Sequence, residues 1–412
     1  MRFFYPVVFF MLVCSIACFS AAPTVNNPMY KQLKNKKFIK EKITYIPLIE
    51  GMKHPASAWG SIGYTREGYV YVAVCDHAST SMIYEYDTKK DKLFTLGDVK
   101  SNFHLNSWQE RQPKIHTPLI QHDKDRLVYF GTDAGDRSLD LGDHRTEGYF
   151  GGYLGTIDPV TKEVKTFGRQ KAYAGYKSLL LDSKRNVIYS TMPPSAYFVK
   201  YDISKNLFTD LGRINSIDVP RTLFFDKWDN VYTSDSWGNL VRYIPDKDTI
   251  EVLNIKLFGN DAVGASQVAY TKDRENVYGV LGSGALIKYT PAKDGQGKLD
   301  TLSGMFKGKG LYIRNLNYAE GKLFVVVKER DKGEAGVDAP EVKTYLYVVN
   351  FEKRLVEKKI LMDPRVEACF GAHVRDSEGN IYVVSHADGI DLKPYGDNPD
   401  NILLIKFNPK DF

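Results

Sequence analysis

His116 and Tyr176 stand 60 residues apart, the interval that also separates Tyr129 from Tyr189 in a repeated pattern along the chain. An imidazole takes a proton near neutral pH, and a phenol can give one to a departing oxygen. The pair therefore suits removal of a carbon-bound proton coupled to loss of an oxygen leaving group. Neither residue acts alone, so the question becomes which elements hold them.

The repeat answers that. A polar turn followed by a β-rich run with a central aromatic recurs seven times, at Tyr71, Tyr129, Tyr189, Tyr232, Tyr278, Phe324 and Tyr382, with spacings of 58, 60, 43, 46, 46 and 58. The turns read TREG, HDKDR, DSKRN, DKWDN, TKDREN, AEGK and RDSEGN, and each run is followed by a second strand and a polar hairpin such as IYEYDTKKDK or LVRYIPDKDT. Short alternating strands at this density predict an all-β, seven-bladed β-propeller, whose radial closure hides its sheet edges. The last unit holds only three strands before Phe412, and the segment KITYIPLI (Lys42 to Ile49) has no partner of its own. It is expected to complete the last blade and close the ring. The WD dipeptide occurs once, at Trp228 and Asp229, so this is not a WD-repeat pattern, and sialidase-type Asp boxes do not recur either.

With the aromatics as a ruler, position minus 13 marks the start of each inner strand and places His116 and Tyr176 at equivalent points on adjacent blades, facing the mouth of a central funnel. The far end of the next strand brings His77, Asp133, Asp235, Trp237 and His386 to the same rim. The longest loop there, DAGDRSLDLGDHRTEGYFGG, carries Arg137, His144 and Arg145; Arg221 enters the same face near the start of blade four's inner strand, and His54 lies on the loop that leads into blade one. Of eight histidines only His122 falls clearly on the opposite face. His54, His77, Asp133, Arg137, His144, Arg145, Arg221, Trp237 and His386 are thus expected to bind substrate. His77 and His386, on neighbouring blades, are close enough for a metal, but no third ligand has recognisable spacing, and no cofactor is expected.

The stretch KIHTPL (Lys114 to Leu119) leading to YFGTD (Tyr129 to Asp133), with ASAWGSIG (Ala56 to Gly63), resembles the propeller polysaccharide lyases that cleave ulvan and related rhamnose–glucuronate polymers, and the related propeller α-L-rhamnosidases. The resemblance implies an acidic polysaccharide as partner and β-elimination next to a uronate, with His116 and Tyr176 transferring protons. The chain departs from that pattern where the lyases' second histidine would fall at Asp133 and their carboxylate-gripping arginine at Met192. Elimination then requires another cation, from His144, Arg145, Arg137 or Arg221. Removal of rhamnose by hydrolysis, with His54 as a candidate residue, and glycan binding without chemistry are the alternatives.

The remaining sequence bounds the setting. Met1 and Arg2, an apolar run from Phe3 to Phe19 and small residues to Ala22 predict a signal peptide over 1–22, with lipidation at Cys18 as a variant. Residues 23–40 read as a linker and 41–412 as one propeller domain. No later run is long and apolar enough to span a bilayer. An exported protein, periplasmic or extracellular, is expected, acting as a monomer. Cys75 and Cys369 are too few for a disulfide scaffold. A net charge of +6 with interleaved signs excludes a nucleic-acid surface.

Overall fold

The computed structural model of the protein describes residues 24–48, 52, 57–76, 80–106, 111–133, 150–193, 196–214, 222–235, 237–256, 267–271, 273–281, 284–306, 312–330, 342–366, 368–369, 374–386 and 402–412. Seven antiparallel sheets form a ring of seven blades. All seven ruler aromatics lie in the second strands: Tyr69–Cys75, Val128–Asp133, Val187–Met192, Val231–Ser234, Val277–Val280, Lys322–Arg330 and Ile381–His386. Each packs in a seam between blades, and all but Tyr278 are at most 1% exposed. The apolar clusters accordingly join neighbouring sheets, as where Tyr45, Phe324, Val383 and Leu403 meet across blades six and seven.

The turns explain why the second strands are so regular. In DKWDNVY, Asp226 accepts from the backbone amides of Trp228 and Asn230, from Asn230 Nδ2 and from the Tyr232 hydroxyl, all within 2.9 Å. In DSEGNIY, Asp376 does the same for Glu378, Asn380 and Tyr382. One carboxylate thereby closes the turn and ties down the buried tyrosine hydroxyl.

Polar links run from blade to blade near these turns. They include Arg66 to Asp123, Asp123 to Ser183, Arg185 to Asp246, Arg274 to Asp229, Lys288 to Glu352, Arg375 to Glu320 and Tyr64 to Ser377. His122 belongs to this belt, its ring against Asp125 and Asn186.

The N-terminal residues lie against three blades. Asn26 N–H donates to Thr161 O in blade two, and Asn27 bonds to both Leu96 O and Lys162 O. Tyr30 stacks on Phe94 and donates to the buried Glu85, which also pairs with Lys162 at 2.7 Å. Lys31–Gln32 adds to the outer strand of blade one, Lys92–Asp98. Ile43–Pro47 pairs antiparallel with Leu403–Phe407 in blade seven, and Phe38–Lys40 adds beyond it.

Candidate functional site

The inner strand of blade two is broken. Lys114–Ile115 and Ile120–Gln121 both pair with Val128–Asp133, but His116 to Leu119 between them do not. Pro118 has no amide to donate, and Thr117 takes over the ladder: its hydroxyl accepts from Gly131 N–H and donates to Gly131 O. His116 therefore sits on a kink rather than in a regular strand.

Its ring is held from two sides. Nδ1 lies 2.6 Å from Asp133 Oδ2, with both side chains buried. Lys177 Nζ lies 3.2 Å from the same oxygen and is also buried. On the blade-one side the partly exposed Trp59 meets His116 edge-on, with centroids 5.4 Å apart, and Lys114 Nζ stands 5.2 Å from the Trp59 ring centre. A carboxylate on Nδ1 fixes the tautomer with the proton on Nδ1, so that Nε2 is the atom able to accept one. Next to Trp59, burial pushes the Cys75 thiol up to about 11.

Close backbone approach makes this arrangement possible. A Cβ on Gly175 would come within 1.9 Å of Asp133 Oδ1, and one on Gly131 within 2.4 Å of Tyr176. Tyr176 N–H donates to Thr132 O, bonding blade three to blade two.

Here the register corrects the ruler. Continuing the blade-two pairing puts His116 opposite Gly131, two residues past Tyr129; in blade three the residue bonded to Thr191, two past Tyr189, is Lys177. Lys177 is the equivalent of His116. Neighbouring residues of a strand face opposite ways, so Tyr176 turns instead into the seam, buried with Leu154, Leu179 and Met192. Among the described residues its hydroxyl has no hydrogen-bond partner, and burial holds its pKa well above the usual phenol value. Met192 lies in the same apolar cluster.

Of the other expected residues, Trp237 is 79% exposed on the hairpin after Val231–Ser234, its N–H donating to Asp235. His386 ends the second strand of blade seven, its backbone paired with Ala368. His54, His77, Arg137, His144, Arg145 and Arg221 lie outside the described residues. Lys114, Lys177 and Trp59 were not singled out by the ruler. Following the strand alternation one residue past Tyr176 would have found Lys177. Among the described residues no group of three or more His, Cys, Asp or Glu is placed to hold a metal ion, and no helix is long and apolar enough to cross a membrane.

No family model and no curated protein matches this sequence. Solved structures do. The structure of streptogramin B lyase is similar with a TM-score of 0.58 and 9% identity, covering 88% of this chain and 97% of that one. This chain is a β-propeller. The WD40 repeats of RRP9 are similar with a TM-score of 0.53 and 11% identity, over 90% of this chain and 99% of theirs. At such identities the likeness is one of fold.

Proposed function

We propose that this chain is an exported carbohydrate-active propeller that cleaves an acidic, uronate-containing polysaccharide of the rhamnose–glucuronate type by β-elimination, with His116 as the base. The observation that carries this reading is the buried contact of His116 Nδ1 with Asp133 Oδ2 at 2.6 Å. At the position of the lyases' second histidine, Asp133 does not need to face the substrate: it orients the imidazole and is shared with Lys177.

In this scheme His116 Nε2 takes the proton from C5 of the uronate, the C5 electron pair forms the C4–C5 double bond, and the C4–O bond breaks. The buried Tyr176 hydroxyl is enclosed in the seam, so protonated His116 is the group that returns the proton to the departing oxygen. Lys114 and the partly exposed Trp59 lie on the other side of the imidazole, where a cation and an aromatic face suit an anionic sugar ring.

Incubating the mature protein with ulvan tests this reading. Elimination yields a 4,5-unsaturated uronate that absorbs in the ultraviolet, and His116→Ala should lower the rate by about a hundred- to ten-thousand-fold while leaving the fold intact. Free rhamnose without absorbance would establish hydrolysis instead. The exposed Trp237 favours a second reading, a glycan-binding propeller without chemistry. Glycan-dependent quenching of tryptophan fluorescence, lost in Trp237→Ala, with no product of either kind would establish that one. Export is tested by sequencing the N-terminus of the mature protein, expected to start near Pro23.

A further inference from the structure

We propose that Lys177 is a positioning residue that keeps His116 neutral, with its proton on Nδ1, by sharing Asp133. The proposal deepens the reading of His116 as a base and rests on it, but its test does not need turnover.

Asp133 Oδ2 meets His116 Nδ1 at 2.6 Å and Lys177 Nζ at 3.2 Å. Two nitrogens on one oxygen are less than about 6 Å apart, in a place where all three side chains are buried. A carboxylate alone beside an imidazole stabilises the imidazolium and raises its pKa. An ammonium on the same oxygen opposes that second positive charge, so the imidazole loses its proton at lower pH. Among the described residues, the other charged or titratable groups around the site include Lys114, Asp76 and Cys75 on the blade-one side and Tyr176 on the blade-three side.

Lys177 is delivered there by construction. Its amide bonds to Thr191 O, the amide of Tyr176 bonds across to Thr132 O, and Gly175 leaves the room that Asp133 occupies. Tyr176, wedged over Gly131, anchors the segment from the apolar side. The sequence Gly175-Tyr176-Lys177 thus combines clearance, anchor and charge in three consecutive residues.

The test is a nitrogen-15 NMR pH titration of the histidines in the mature chain, with the His116 signals assigned by their loss in His116→Gln. Lys177→Met should raise the His116 midpoint by about one pH unit or more, and Asp133→Asn should lower it and release the tautomer. Lys177→Gln, which keeps a donor to Asp133 without the charge, should shift the midpoint as Met does, and Lys177→Arg should keep the wild-type value. An unchanged midpoint in folded Lys177→Met or Lys177→Gln overturns the proposal, as does an equal shift in Lys177→Arg. If ulvan is eliminated, the acid limb of kcat/KM should move up with the same variants. A shifted midpoint without unsaturated product would leave Lys177 in this role and remove the elimination reading alone.

Discussion

Gly175 sets how closely blade three can approach the Asp133 carboxylate, and its requirement is space: its φ is not in the left-handed region, whereas a Cβ would meet Oδ1 at 1.9 Å. Gly175→Ala is therefore expected to cost about 1–3 kcal/mol in urea unfolding and to weaken the His116–Asp133 contact, seen as a moved His116 signal. The thiols give a second expectation. With Cys75 pushed up to about 11 by burial, and Cys369 also buried and shifted upward, neither should react with a disulfide reagent at pH 8 until the chain unfolds. Rapid labelling of native protein would contradict the burial. At this scale the sequence was legible to within one residue. His116 could be found because it follows a fixed offset from Tyr129. Lys177 was missed by that offset, because pairing in blade three is displaced by one position and alternation turns such a slip into the opposite face.

The turn–strand units were the most legible elements. An aspartate, an asparagine four residues on and a tyrosine two further form a closed set of hydrogen bonds, so DKWDNVY and DSEGNIY reveal their geometry directly. Asp226→Ala would take away the acceptor shared by the Tyr232 hydroxyl and the Asn230 amide. It is expected to destabilise the fold by about 3 kcal/mol, whereas Asp246→Ala, at an exposed ion pair, should change the urea midpoint little. The inner strand of blade two was less legible, since its break at His116 to Leu119 depends on a threonine hydroxyl replacing backbone pairing. The seam between blades one and two was not legible at all: Glu85 and Lys162 are far apart in sequence, and nothing near either announces the other. Lys162→Met leaves Glu85 buried without its cation and should cost about 3–5 kcal/mol in the same assay.

Across the whole molecule, the two faces of the ring are built differently. One carries the belt of polar links from turn to turn; the other carries the kinked strand, the glycine contacts and the His116 cluster. Seven blades were readable because the ruler aromatics share a single job, filling the seams. The contacts of residues 24–40 with blades one, two and seven were hidden, because they rest on single side chains such as Asn27 and Tyr30 and on strand pairs of two or three residues rather than on a repeat. One of the pairings along this edge also has a bearing on time. Thr44 pairs with Lys406, so a strand made among the first is matched only by one made at the very end. A chain emerging from the ribosome carries Ile43–Pro47 unmatched until Leu403–Phe407 follows. The strand pair that completes the last blade therefore forms only after the residues of the other six blades have been made.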